Sequence, residues 1–308
     1  MNIFTHSDTS HKRIVAVGMY DGVHLGHRSL ISHLCREADL RGLTPAVATF
    51  TSHPLATIAP KQTPPMLTCT DRRLKLLAET GVIDCLLLDF NESLRTLSAR
   101  EFIIMMHNDY NVTAMLIGYN NRFGHDRIKD FEEYRRIGKE EGVDIIQASQ
   151  YGKQISSSDI RRFLLNGHPD RALSALGYPY SISGKVVTGN QIGRTIDFPT
   201  ANINPCHPEK LIPANGVYAT FVTTENGMQH LAVVNIGNRP TITNSTSSPI
   251  SIEAYILDYD GNLYGQTITI HFISFLRHET KFQSIDALRA QISIDTTQAR
   301  SILNSLKK

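Results

Sequence analysis

Two imidazoles three residues apart, His24 and His27, stand in a glycine-spaced run, GMYDGVHLGH at residues 18–27. Histidines can donate hydrogen bonds to the negative charge that builds on phosphate oxygens during phosphoryl chemistry. Gly18, Gly22 and Gly26 let backbone approach a phosphate closely, and Asp21 lies in the same loop. Further along, Ser156, Ser157 and Ser158 precede Arg161. Hydroxyls, backbone donors and a guanidinium at a helix start can cradle an anion. A third set, Thr200 and Asn202, sits two apart in an extended run. Alternate residues of a strand share a face, so both oxygens can meet one hard cation such as Mg²⁺ already held by phosphates.

Each set has a plainer alternative. The histidines can be solvated residues of a glycine-rich turn. The serines can be a helix N-cap and nothing more. Thr200 and Asn202 can belong to a Pro-Thr turn whose Asn satisfies local backbone. Glu253, in the middle of a strand pattern, reads by default as a solvated outward residue.

The elements around these residues decide between the alternatives. Residues 13–17, Arg-Ile-Val-Ala-Val, predict a short buried strand. Leu30, Ile31, Leu34, Cys35 and Ala38 recur at helical spacing, and Gly42 is placed to end that helix. The histidines therefore fall at a strand-to-helix junction, where unpaired N–H groups and the helix dipole attract anions. Strands follow at 45–50, 85–88, 112–117 and 143–148, with helices at 71–79 and 131–141 between them. Ser98 and Glu101 form a capping box opening the helix that carries Phe102, Ile103 and Met106. This alternation predicts an α/β fold, a doubly wound parallel sheet that gathers ligands at the carboxyl ends of its strands.

Near residue 180 the pattern changes. Short β-rich segments at 182–187, 217–223, 231–235, 251–257 and 264–272 predict a small antiparallel barrel or sandwich. An amphipathic helix at 284–292 is expected to cover one open end of it. The expected domains are 1–180 and 181–308, joined around Gly177 and Pro179. At 308 residues, two domains are also what length suggests.

Composition narrows the classes. A net charge of +2, with no Lys/Arg run and no Trp, argues against a nucleic-acid partner. No apolar run reaches membrane length, and residues 1–13 lack the apolar core of a leader peptide. Cys35, Cys69, Cys85 and Cys206 form no CxxC pair, as expected of reduced thiols in a cytoplasmic protein. Neither a Walker A motif nor GxGxxG is present. Nothing in the sequence speaks to oligomeric state.

The first run resembles the HxGH signature of nucleotidyltransferases that attack the α-phosphate of ATP. In its fuller form it is similar to the adenylyltransferase half of bacterial bifunctional riboflavin kinase/FAD synthetases. ISSSDIRR at 155–162 resembles the ISSTxIR motif of that family, His53-Pro54 its HP pair, and GYNNRFG at 118–124 its GxDFRFG or GxNFxFG loop. GKVVTGNQIGRTIDFPTANI at 184–203 resembles the flavokinase signature GxVxxGxxxGRxLGFPTAN, and SIEAYILDYDGNLYG at 251–265 a later kinase segment. NIGNRPT, GVYA and LRHETKF match the family in order too. Three places depart from it: Thr51-Ser52 for Asp-Pro, Asn121 for Phe, and Asp197 for Gly.

The resemblance implies a two-step synthesis from riboflavin and ATP, with FMN as first product and FAD as second. In the N-terminal half, Gly18, Asp21, Gly22, His24, His27, His53, Asn120, Arg122, the three serines and Arg161 would surround ATP, with His24 and His27 catalytic. In the C-terminal half, Gly184, Gly189, Gly193, Arg194, Thr200 and Asn202 would bind ATP, the last two as Mg²⁺ ligands. Glu253 would take the proton of the riboflavin 5′-hydroxyl, and Arg277 with the last helix would lie near the isoalloxazine. Two alternatives stand beside this. One is an adenylyltransferase for another phosphorylated substrate, with a barrel used only for binding. The other is a non-enzymatic flavin or nucleotide sensor.

Overall fold

The computed structural model describes residues 1–118, 122–126, 128, 130–148, 155–188, 198–238 and 250–306. Its contacts group into two compact units, Met1–Ser156 and Ser157–Lys308.

The first unit is a six-stranded parallel sheet. Its strands are β1 (Asn2–Phe4), β2 (Arg13–Val17), β3 (Thr44–Phe50), β4 (Asp84–Leu88), β5 (Val112–Ile117) and β6 (Asp144–Gln147). They lie in the order β1-β4-β3-β2-β5-β6, every neighbouring pair parallel. All five residues of β2 are buried, because both faces of a parallel sheet are covered. The helices are α1 (Leu25–Arg41), α2 (Pro54–Ile58), α3 (Thr70–Ala78), α4 (Glu92–Arg95), α5 (Ala99–Tyr110) and α6 (Phe131–Glu140). Gly42 ends α1 at φ +62°, its N–H reaching the Ala38 and Asp39 carbonyls. The Ser98–Glu101 capping box is formed in both directions. From β2 the chain runs to β3 on one side and later to β5 on the other, so the order reverses at β2. In open sheets of this kind ligands gather outside the carboxyl ends at such a reversal, and residues 18–27 follow the carboxyl end of β2. The opposite, amino edge is held by charge. Arg13 and Asp84 are both fully buried and paired at 2.7 Å, and Asp84 also accepts from Asn2 at 3.0 Å.

The second unit opens with α7 (Ser157–Leu165) and α8 (Pro169–Leu176), and α8 packs on β7 and β12. Its strands are β7 (Tyr180–Val187), β8 (Ala201–Pro205), β9 (Gly216–Thr223), β10 (Gln229–Asn238), β11 (Ile250–Ile256) and β12 (Thr267–Arg277). They close into an antiparallel barrel, β10-β11-β8-β7-β12-β9, which decides between barrel and sandwich. Tyr218, Thr220 and Val222 of β9 are fully buried on one face. Val217, Ala219 and Phe221 on the other pack under α9 (Ile285–Ser305), against Ala299 and Leu303.

The last helix therefore differs from expectation in length and place. It runs to Ser305 and lies along the barrel wall instead of across an open end. The β-branched residues Ile292, Ile294, Thr296 and Thr297 mask its second half, and burial of Ala299 and Leu303 overrides that weak propensity. Strand β8 continues the extended run expected at Thr200 and Asn202 to Pro205, although a five-residue segment with two Asn and a Pro carries little strand signal of its own. The last strand begins later than expected and runs to Arg277.

Candidate functional site

In the first unit the site is built by an unusual turn after β2. Tyr20 and Val23 sit at φ +51° and +36°, and Gly22 at +84°. Left-handed backbone costs a non-glycine residue about 1–2 kcal/mol, so neighbours must hold it. The Tyr20 hydroxyl donates to the Ala16 carbonyl at 2.9 Å. The Asp21 carboxylate accepts from Leu67 N (2.9 Å), Thr68 N (2.8 Å) and Thr68 Oγ1 (3.0 Å), and Thr68 Oγ1 accepts from Gly22 N at 3.0 Å.

His24 then caps α1, its Nδ1 accepting from His27 N–H at 3.3 Å. An accepting Nδ1 fixes the neutral ring with its proton on Nε2, a donor. The two imidazoles stack at 3.6 Å and 18°, and Tyr20 meets His27 edge-on at 5.3 Å. Gly26 lies beneath them. A Cβ there would stand 3.1 Å from the His24 ring and 3.3 Å from the Ile155 carbonyl. Burial, with the His24 ring second, holds the His27 pKa well below its usual value, so His27 is neutral. Its buried Nδ1 has no hydrogen-bond partner among the described residues.

His53 repeats the device one strand over. It caps α2 with Nδ1 accepting from Leu55 N at 3.1 Å, leaving Nε2 as its donor. Arg122 is exposed after β5; Asn120 and Asn121 lie outside the described residues. Ser156 closes the first unit, while Ser157 and Ser158 begin α7, on which Arg161 is 9% exposed.

In the second unit, Asn202, Glu253 and Asn235 are direct cross-strand partners over β8, β11 and β10, which sets them in one row. Thr200 Oγ1 donates to Glu253 Oε2 at 3.4 Å. Asn235 and Glu253 of this row line a cavity of about 320 Å³ walled by Phe198, Tyr255 and Phe282, with Arg277 at its border. A second cavity, about 490 Å³, is lined by Tyr259, Asn262 and Tyr264. Thr200 belongs to the walls of both.

Arg277 meets Asp295 through a fork, Nε at 3.0 Å and Nη2 at 2.8 Å, and Asp295 also accepts from Gln291 at 2.9 Å. This tie, which joins β12 to α9, was not read from sequence, because Asp295 lies beyond the helix expected at 284–292; in the structure it is buried in mid-helix. Nor were the aromatic walls, Phe198, Tyr255 and Phe282. Gly184 has a packing cause, since a Cβ there would stand 2.3 Å from Ile203 and 2.6 Å from the Asn204 carbonyl. Gly189, Gly193, Arg194 and Asp197 lie outside the described residues.

Both places set neutral donors or hard oxygen atoms where phosphate charge can sit. The fold and its two sites define a two-part transferase of the kinase and nucleotidyltransferase kind. Comparison with known proteins carries this from class to family. The FAD synthetase family profile matches residues 6–159, and the riboflavin kinase profile matches residues 176–303. A bifunctional riboflavin kinase/FMN adenylyltransferase of Escherichia coli K12 is 36% identical over 298 residues, covering 96% of this chain and 94% of that one. One from Listeria monocytogenes is 33% identical over 310 residues, covering 99% and 97%. A solved chain from Streptococcus pneumoniae, described as a macrolide-efflux protein, shares the fold with a TM-score of 0.85. It is 28% identical, and the match covers 97% of this chain and 98% of that one. Among the described residues no helix is long and apolar enough to cross a membrane. This chain belongs to the bifunctional riboflavin kinase/FMN adenylyltransferase family.

Proposed function

We propose that the barrel phosphorylates riboflavin at the row Thr200–Asn202–Glu253, and that the sheet unit adenylylates the resulting FMN at His24 and His27. The observation that carries the kinase half is Thr200, shared by two cavities and 3.4 Å from Glu253. The aromatic-walled cavity suits a flavin ring and the other suits the nucleotide, so their reacting ends meet at Thr200. Glu253 takes the proton of the 5′-hydroxyl as its oxygen bonds to the γ-phosphorus of ATP, and ADP leaves. Thr200 Oγ1 and the Asn202 amide oxygen would hold Mg²⁺ with the phosphates, a donor set of hard oxygens that suits this cation. Bound there, Mg²⁺ supplies positive charge against the phosphate oxygens.

In the sheet unit an FMN phosphate oxygen attacks the α-phosphorus of ATP and pyrophosphate leaves. His24 offers Nε2–H and His27 stays neutral, so both rings act as donors to the charge gathering on the phosphate oxygens. His53 adds a third donor of the same form. Asp21 serves as an anchor of the loop, through Leu67 and Thr68. Functional domains of 1–180 and 181–308, and a cytoplasmic place beside the ATP pool, go with this reading.

The test is incubation with riboflavin, ATP and Mg²⁺ followed by chromatography of the flavins. FMN and then FAD are expected. A parallel incubation with FMN in place of riboflavin completes the test: FAD from supplied FMN with no FMN from riboflavin would leave the barrel a binding module, and neither product would leave a sensor.

A further inference from the structure

Arg73 is among the largest side chains in the chain that are completely buried. It stands on the first turn of α3, directly after the Leu67–Thr68 segment that Asp21 clamps. One guanidinium nitrogen, Nη2, donates to the Phe50 carbonyl at the carboxyl end of β3. The other two, Nε and Nη1, are buried with no hydrogen-bond partner among the described residues. A buried cation with orphaned donors is a cost to stability, and such a group calls for an explanation other than packing.

The explanation lies in the facing charge. Asp21, 2% exposed, is the loop's carboxylate, set three residues before His24. A carboxylate at the base of a triphosphate site repels the phosphates unless positive charge stands near it. Burial lowers the Arg73 pKa, while the Asp21 carboxylate is the leading influence holding its charge in place. The two charges lie at the same carboxyl edge of the sheet: Asp21 is bonded to Leu67 and Thr68 just before α3, and Phe50, which Arg73 reaches, follows Thr49, whose hydroxyl donates to the Met19 carbonyl of the histidine loop at 3.1 Å.

We propose that Arg73 is the counter-charge of Asp21, a positioning residue that lets the loop keep a carboxylate anchor without repelling ATP. This rests on the assignment of the loop to ATP. Charge compensation has a signature that loosening of the loop lacks, since its loss scales with the charge of the ligand.

The test uses the full chain and inhibition of FAD formation from FMN. In Arg73→Met the KM for ATP and the inhibition constant of pyrophosphate should rise about tenfold, that of AMP less, and that of adenosine not at all. Arg73→Lys should stay within about twofold of wild type, because it keeps the charge. If the Met variant fails to fold, Arg73→Gln keeps a donor for Phe50 and carries the same comparison. Constants that rise together for all four ligands, or for none, overturn the proposal. A His27→Ala control separates the two readings. If it leaves FAD formation intact, the site assignment falls and the counter-charge with it. If it abolishes FAD formation while Arg73→Met leaves the ATP KM unchanged, the counter-charge alone falls.

Discussion

His24 caps the helix on which His27 stands, and the two rings stack at 3.6 Å. One imidazole is therefore oriented by the backbone of the other, and the pair holds its geometry before any substrate arrives. Preorganised donors of this kind act without reorganisation when charge develops.

Replacing His27 with Ala removes a donor and the stacking surface of His24. FAD formation from FMN should fall by about a hundredfold or more. FMN formation from riboflavin should stay near normal, because that chemistry sits in the barrel. Assay of the two half-reactions on one preparation checks this, and equal loss of both in folded protein contradicts it.

The depressed His27 pKa makes a stability prediction. In the unfolded chain His27 takes a proton as pH falls below its ordinary 6.5, whereas the folded ring does so only well below that. Between those points the unfolded state binds more protons, so stability declines as pH falls and returns as pH rises. The thermal midpoint of the sheet unit should drop between about pH 7.5 and about pH 5.5 by less in His27→Gln than in wild type. Identical drops would mean that His27 carries none of this dependence.

Glu253→Gln keeps the shape of the side chain but cannot accept a proton. Riboflavin phosphorylation should slow by about 10² to 10⁴, with supplied FMN still converted to FAD. Normal phosphorylation would reduce Glu253 to a wall residue of the cavity.

Asp295→Ala strands the Arg277 fork beside an apolar wall. Loss of one partner from a buried pair costs about 3 kcal/mol. Denaturant unfolding should therefore show a weakened barrel, with a raised riboflavin KM because α9 borders that cavity. An unchanged midpoint would show that β12 and α9 hold together without the tie.

A fragment of residues 157–308 should fold and make FMN but no FAD. Beginning instead at 183 removes α7, α8 and the buried Tyr180 and Ile182 of β7, and that shorter piece should be unstable. Circular dichroism with flavin chromatography tests both. A folded, inactive 157–308 fragment would mean the kinase site needs the sheet unit.

Much of this was legible because it is local. The strand at Arg13–Val17, the Gly42 stop and the Ser98–Glu101 box each follow from residues a few positions apart. The parallel sheet followed from alternation, and the family from short strings in both halves of the chain. What stayed hidden was non-local. Asp21 reaches Leu67 and Thr68, Asn202 meets Glu253 across two strands, and Arg277 meets Asp295 across two elements. No periodicity records such pairings. Tyr20 and Val23 at positive φ were hidden too, since neither residue type announces a left-handed turn.

Strand β9 is covered on both faces, inside by the barrel and outside by α9. Every strand of the barrel precedes α9 in the chain, so during synthesis the sheet can curl and close while one apolar flank still faces water. Until that helix docks, Val217, Ala219 and Phe221 form a sticky stripe, open to other half-made chains and to chaperones. The finished barrel is thus sealed by the segment made after all its staves, and a ribosome that stalls short of Ala299 releases a product inclined to aggregate.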